Sequence, residues 1–135
     1  MRLLLAGATL SFTAAASHAG IAVSHASDAY THALAAGAFA ISPAFMTMMI
    51  TALFMVWGLY AMSASGAIAP LPLVQPAIYA ITAIYLTRGM FLLPQLMGYN
   101  IFTAGEPVTG SDMLISAVVL AIGAIHMAGV TQREL

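Results

Sequence analysis

The sequence has 135 residues, of which 62% are hydrophobic and only 5% are charged, and its net charge is −1 at pH 7. A soluble domain carries about 25% charged residues, so this composition excludes an ordinary water-soluble protein and indicates that lipid surrounds most of the surface. With three cationic residues and no cysteine, the chain lacks the basic face of a nucleic-acid-binding protein and the thiols of disulfides, iron–sulfur clusters and cysteine zinc sites.

Four apolar stretches have the length of a membrane-spanning helix, since about 20 residues at 1.5 Å each cross roughly 30 Å of hydrocarbon. Pro43 and Pro76 stand where helices begin and proline costs least, Pro94 closes the third stretch, and Ser111 is the expected cap of the fourth. We predict a single all-α domain, residues 1–135, folded as an integral membrane four-helix bundle. The predicted spans are residues 3–23, 44–63, 73–93 and 112–130.

The few charges predict the orientation. Arg2 and Arg133 flank the first and last spans, whereas Asp28, Glu106 and Asp112 fall on the opposite side. Because cytoplasmic loops carry the excess of cationic residues, both termini are expected in the cytoplasm, the N-in/C-in arrangement. The predicted location is the bacterial inner membrane, crossed several times.

The first span has an alternative interpretation as a secretory signal. Arg2 is followed by an apolar core, and Ser17-His18-Ala19 resembles a cleavage site before Gly20. Removal of residues 1–19 would leave three spans and place the new N-terminus outside. We take the uncut span as the prediction and keep cleavage open.

Two patterns resemble metal sites, and we predict no metal at either. His25, Asp28 and His32 would share one face of a helix, but a structural zinc site shows four ligands. A copper site would need several methionines at one depth in the membrane. The methionines of the second span are instead distributed along its length, which predicts that they fill irregular gaps between packed side chains. They are Met46, Met48, Met49, Met55 and Met62.

Polar residues inside a membrane are costly and therefore indicate where function resides. His18 and Arg88 each lie about five residues from the outer end of a span, roughly 8 Å below the surface. Tyr85 precedes Arg88 by one helical turn, and Asp112 begins the fourth span. We predict an outer polar cluster of these four residues. It is either structural or a binding site for a substrate or a quinone head group.

Aromatic residues should mark the cytoplasmic interface. Trp57, Tyr60, Tyr79 and His126 are expected at one depth and predict an inner aromatic belt, because tryptophan and tyrosine concentrate at membrane interfaces. A haem would need two axial histidines at one depth. His18 and His126 should differ by about 15 Å, so we predict no haem and no other cofactor.

Small residues recur at helical spacing in the first and fourth spans. Such residues let helices approach closely, either within the bundle or against another protein, and the sequence leaves both open. The expected helix-packing residues are Gly7, Ser11, Ala117, Ala121, Ala124 and Ala128.

Two runs carry a resemblance to a known family: WGLYAMS at residues 57–63, with Gly66 and LPL at residues 71–73, and AITAIYLTRG at residues 80–89. With His18, and with His126 followed by Gly129, they make the chain resemble an uncharacterised family of short four-span bacterial inner-membrane proteins. Residues 29–40 depart from that family, whose members are richer there in aromatic and charged residues. The resemblance implies four helices and an inner-membrane location, and it implies no activity.

Three functions compete, and none of them assigns the chain a catalytic residue. No nucleophile, acid pair or metal set is evident, so we predict that the chain is not an enzyme but an accessory subunit of a larger membrane complex. Its predicted partners are the lipid bilayer and other membrane subunits. A small-molecule or lipid carrier is the first alternative, although proton-coupled exporters need an acidic residue within a span. A quinone- or cofactor-binding redox unit is the second.

Overall fold

A computed structural model describes the backbone of residues 2–36, 43–101 and 106–134 and the side chains of residues 2–23, 45–101 and 106–132. Within these ranges the chain forms helices and no strand. In chain order the helices are α1 (Arg2–Ala36), α2 (Pro43–Ser65), α3 (Val74–Met90), the short α4 (Leu92–Leu96) and α5 (Gly110–Glu134).

Four stretches of the described residues are long and apolar enough to cross a membrane, which confirms the all-helical, four-span prediction at that level. Their ends lie within three residues of the predicted ones, although α1 continues as helix to Ala36, well beyond its apolar part. The side chains of His25, Asp28 and His32 lie outside the described residues. The apolar stretches are Arg2–Val23, Phe45–Ser65, Val74–Leu96 and Gly110–Gln132.

The four long helices form a ring in chain order. The most extensive contacts join α1 to α2 and α3 to α5, and smaller ones join α1 to α5 and α2 to α3. Gly129 lies against Leu4, and Gly7 lies against His126. The start of α1 and the end of α5 therefore share one end of the bundle, which we call the termini end; the opposite end is the far end.

The helix of the third span breaks earlier than Pro94, the residue predicted to close it. Proline has no N–H for the carbonyl four residues before it, and its ring collides with that carbonyl. The carbonyl here belongs to Met90, and α3 ends at Met90 before α4 resumes at Leu92. The amides of Met97 and Tyr99 then donate to the Pro94 carbonyl, at 3.0 and 2.9 Å.

Helix α5 begins with a capping box. The Asp112 amide donates to Thr109 Oγ1 at 3.3 Å, and the Thr109 amide donates to Asp112 Oδ2 at 2.9 Å. This reciprocal pair satisfies two donors at the start of the helix. Thr109 is thus the cap, and the expectation of Ser111 was wrong by two residues because Ser111 already lies inside the helix.

A tight turn joins α2 to α3 at the termini end. The Gly66 amide, at a residue with φ of 78°, donates to the Ser63 carbonyl, and the Ala67 amide donates to the Met62 carbonyl. These two hydrogen bonds are the pair that defines a Schellman cap. Ser63 Oγ also accepts from the Leu71 amide at 2.8 Å. These bonds fix the geometry of the α2–α3 pair.

Two buried clusters form the core. One lies at the termini end and includes Leu4, Ala61 and Ile78; the other lies farther along the bundle and includes Trp57 and Tyr85. The second cluster leads directly to the polar residues of the far end.

Candidate functional site

Tyr85 is the centre of a group of contacting rings that we call the aromatic column. Its ring stacks on Phe54 with centroids 6.1 Å apart and meets Trp57 edge-on at 4.9 Å. His126 lies on the other side of Tyr85 at 5.3 Å, and His18 meets Phe54 at 5.1 Å. The column therefore links α1, α2, α3 and α5 through their side chains.

A buried hydrogen bond fixes Tyr85 to α1. The Tyr85 hydroxyl and Ser11 Oγ are 2.9 Å apart, and one donates to the other. Tyr85 is 2% exposed and Ser11 is 0% exposed. A bond between two such groups satisfies both, whereas loss of either would leave the other buried without that partner.

Arg88 connects α3 to α5 at the far end. Its Nη1 donates to the buried hydroxyl of Ser116 at 3.0 Å, and its guanidinium lies 5.9 Å from the ring centre of Phe91. Arg88 and Asp112 also attract each other electrostatically. Because Asp112 holds the capping box of α5, the arginine charge is tied to the start of that helix.

A cavity of about 300 Å³ opens beside the aromatic column. Its polar lining is His18 and Arg88, and its aromatic lining is Phe54, Trp57 and Tyr85. Aliphatic side chains from α2, α3 and α5 complete it: Ile50, Leu53, Ile84, Ile115 and Val119. The cavity is thus an apolar space with a cation and an imidazole in its wall.

The imidazole of His18 has a defined tautomer. Its Nδ1 lies 2.9 Å from the Ala14 carbonyl, which can only accept, so Nδ1 carries the proton. The Nε2 atom of the neutral ring is therefore a hydrogen-bond acceptor. It becomes a donor if the ring is protonated.

His126 has the same tautomer in a fully buried position. Its Nδ1 donates to the Ile122 carbonyl at 3.0 Å, and the residue is 0% exposed. Among the described residues no group bonds to its Nε2. Gly7 makes room for this ring, because a Cβ at that position would lie 2.6 Å from His126 Cε1.

Replacing His126 by leucine should raise the free energy of unfolding by about 1 kcal/mol, because a buried polar atom without a partner costs roughly 1–3 kcal/mol. Denaturation of the purified protein in mixed detergent micelles measures the change. His126→Gln, which keeps a buried polar group, should show no gain. A large loss of stability in the leucine variant would instead mean that Nε2 has a binding partner.

The structure brings together three members of the predicted outer polar cluster around one cavity: His18, Tyr85 and Arg88. Asp112 interacts with Arg88 and with Thr109. The structure adds Ser116, which the sequence analysis did not name. Ser116 follows Asp112 by four residues and hence shares its helix face, a spacing that could have identified it.

The predicted inner aromatic belt is divided between two environments. Trp57 and His126 are 9% and 0% exposed and lie in the aromatic column inside the bundle. Tyr79 is 40% exposed, and the Tyr60 hydroxyl donates to the Pro72 carbonyl at 3.3 Å. Tyr85, a member of the predicted outer polar cluster, thus contacts two members of the predicted belt, a connection that the sequence analysis missed.

The predicted helix-packing residues also divide. Gly7 and Ser11 lie inside the bundle, whereas Ala121 and Ala124 are exposed and Ala117 and Ala128 are half-buried. The close internal contact of α5 with α3 instead falls at Gly89, where a Cβ would lie 2.5 Å from the Leu120 amide nitrogen.

The two described histidines lie at different levels of the bundle. Gly7 contacts His126, and His18 lies eleven residues farther along α1, about 16 Å at 1.5 Å per residue. Among the side chains that the structure describes, no three histidine, aspartate or glutamate residues are grouped as metal ligands would be.

Comparison with known proteins gives no match: no family model fits the chain, and no curated protein or solved structure is significantly similar.

Proposed function

We propose that this chain is a multi-pass protein of the bacterial inner membrane, with both termini in the cytoplasm, and serves as a non-catalytic accessory subunit of a larger membrane complex. The observation that carries the proposal is a difference between the outward faces of its helices. Small residues face outward on α1 and on the middle of α5, whereas large apolar residues face outward on α2.

The outward face of α1 carries small residues over most of the apolar part of the helix. Between Leu5 and Ile21, every exposed residue is alanine, threonine, serine or glycine. We call this surface the α1 small face; it consists of Ala6, Thr9, Thr13, Ala16, Ser17 and Gly20. Its hydroxyls donate to carbonyls four residues earlier, so they need no water, as at Thr13 to Thr9 with 2.9 Å.

The outward face of α2 provides the internal comparison. Its exposed residues are large, among them Phe45, Met48, Met55 and Leu59, and Ala52 is the exception. Large apolar side chains suit lipid. Small ones let another helix approach to backbone distance, which is the main source of helix association where lipid is as apolar as the side chains.

The polar interior supports a structural role. Ser11 with Tyr85 and Arg88 with Ser116 form hydrogen bonds between helices. Bonds of this kind hold helices in register and require no reaction. Leu4, near the start of the chain, lies against Gly129, near its end, and this contact supports a topology with both termini on one side of the membrane.

Cysteine crosslinking tests the proposed partner surface, because the sequence contains no cysteine of its own. Thr13→Cys places one small thiol on the α1 small face, and Ala52→Cys places the same thiol on the outward face of α2. In native membranes, a benzophenone maleimide attached to the introduced thiol of the Thr13→Cys chain should, on illumination, crosslink it to a different polypeptide. The Ala52→Cys control should show no such product.

The native mass of the purified protein completes the test. In a mild detergent, the wild-type particle should contain other chains in fixed ratio. Ala121→Leu should reduce the recovery of those partner chains severalfold. Ala52→Leu should leave the recovery of the partner chains unchanged. A particle that contains only copies of this chain would refute the accessory-subunit proposal.

A further inference from the structure

The cavity beside the aromatic column has the character of a small-molecule site rather than of a packing defect. At about 300 Å³ it lies at the lower limit of ligand pockets, which are mostly apolar with a few placed polar groups. All four long helices contribute to it: His18 from α1, Trp57 from α2, Arg88 from α3 and Val119 from α5. A wall shared by four packed helices favours a ligand of defined shape.

The aromatic wall favours a flat ring. Phe54 and Tyr85 are nearly parallel, with 4° between their planes, and Trp57 stands edge-on to Tyr85. All three line the cavity. Aromatic side chains attract planar rings by offset stacking and edge contacts, so this wall suits a planar head group better than a flexible acyl chain.

The two polar groups in the wall favour oxygen atoms on that ring. The Arg88 guanidinium carries five N–H donors in a fixed fork, one nitrogen of which donates to Ser116. His18 presents Nε2, which accepts from a hydroxyl when neutral and donates to a carbonyl when protonated. A ligand with carbonyl or hydroxyl oxygens matches both groups.

The local charge favours a neutral ligand over an anionic lipid. The carboxylate of Asp112 interacts electrostatically with Arg88 and offsets part of its positive charge. A phosphate or carboxylate beside Arg88 would also be repelled by Asp112, whereas a neutral carbonyl needs only a donor.

We propose that this cavity binds the head group of a quinone or its quinol, a lipid-soluble molecule with a flat, oxygen-bearing ring. Arg88 donates to one ring oxygen, His18 bonds to an oxygen through Nε2, and the ring lies against Phe54, Trp57 and Tyr85. The ligand enters from the surrounding lipid, because Leu53, Ile84 and Ile115 line the cavity and are themselves about half exposed. The proposal is independent of the accessory-subunit role, which concerns a different face.

Trp57 provides a direct measurement, because it is the single tryptophan of the chain and it lines the cavity. Quinones quench tryptophan fluorescence at short range. Purified full-length protein in phosphatidylcholine nanodiscs is titrated with decylubiquinone, with a tryptophan octyl ester in empty nanodiscs as the reference for random quenching. Binding in the cavity gives saturable quenching, whereas the reference gives a linear dependence.

Two pairs of variants locate the site. Arg88→Met should raise the apparent Kd at least about tenfold, the loss expected for a hydrogen bond to a charged group, whereas Arg2→Gln removes the same charge at the termini end and should change nothing. Val119→Phe fills the cavity and should abolish saturable quenching. Val118→Phe makes the same change at the next residue, which faces outward and does not line the cavity, and should bind normally.

Several outcomes would overturn the proposal. Linear quenching by decylubiquinone in the wild type would mean that no quinone site exists, and equal apparent Kd values for Val119→Phe and Val118→Phe would place the ligand elsewhere. A saturable change in Trp57 fluorescence on addition of phosphatidylglycerol to the nanodiscs, without saturable quenching by decylubiquinone, would identify an anionic-lipid site instead. The valine pair keeps the test valid even if Arg88→Met fails to fold, because both changes are apolar.

Discussion

Replacement of Tyr85 by alanine is expected to lower the free energy of unfolding by about 3–5 kcal/mol, the usual cost of removing a large buried ring. The side chain is 2% exposed and touches Phe54, Trp57 and His126. Its loss would leave a cavity between all four long helices and would also remove the bond to Ser11. Equilibrium unfolding in mixed detergent micelles measures the effect.

Two further variants separate the ring from the hydroxyl. Tyr85→Phe keeps the ring and should cost only about 1 kcal/mol, the value of one buried hydrogen bond with its partner left behind. Tyr79→Ala makes the same deletion six residues earlier in α3, where the side chain is 40% exposed, and should cost well under half as much. Similar losses for Tyr85→Ala and Tyr79→Ala would show that the aromatic column does not hold the bundle together.

Adding one methyl group at Gly89 should destabilise the protein by about 3 kcal/mol, at the upper end of the cost of overpacking. A Cβ there would meet the backbone of Leu120, at 2.5 Å from its nitrogen and in contact with its Cα. Backbone atoms cannot rotate away as a side chain can, so α3 and α5 must separate. A lowered melting temperature of the purified Gly89→Ala protein would report this separation.

Gly20→Ala is the matched control for that substitution. Gly20 also lies within a helix, and no described atom lies within 4 Å of a Cβ built on it. Alanine favours helix over glycine by about 1 kcal/mol, so this variant should be as stable as the wild type or more so. A Gly89→Ala protein of unchanged stability would contradict the close α3–α5 contact.

The positions of the spans were predictable because the mean hydropathy is taken over about 20 residues, so that no single residue decides where a span lies. Pro94 was predicted to close the third span, but α3 ends earlier, at Met90, since a proline disturbs the carbonyl four residues before it. The cap of α5 was missed because Thr109 and Ser111 are both good capping residues, and only the partner Asp112 selects between them.

The candidate site shows what a sequence can and cannot specify. Depth along a helix follows from a constant rise per residue, and depth alone suggested His18 and Arg88 as neighbours; both line the cavity. Rotation about the helix axis depends on packing against other helices. Trp57 and His126 were therefore expected at an interface, whereas their rings point inward at Tyr85. The alanines of α5 were assigned no face for the same reason.

The ring order of the helices has a consequence for biogenesis. Because the largest contacts join α1 to α2 and α3 to α5, each pair is a hairpin whose partners emerge from the ribosome in succession. In the proposed membrane location, the first hairpin can reach its final form while the second is still being synthesised. The cavity and the Ser11–Tyr85 bond lie on the seam between them and so form only when the hairpins dock. A ligand in that cavity would therefore favour docking of the two hairpins, because it binds only the docked form.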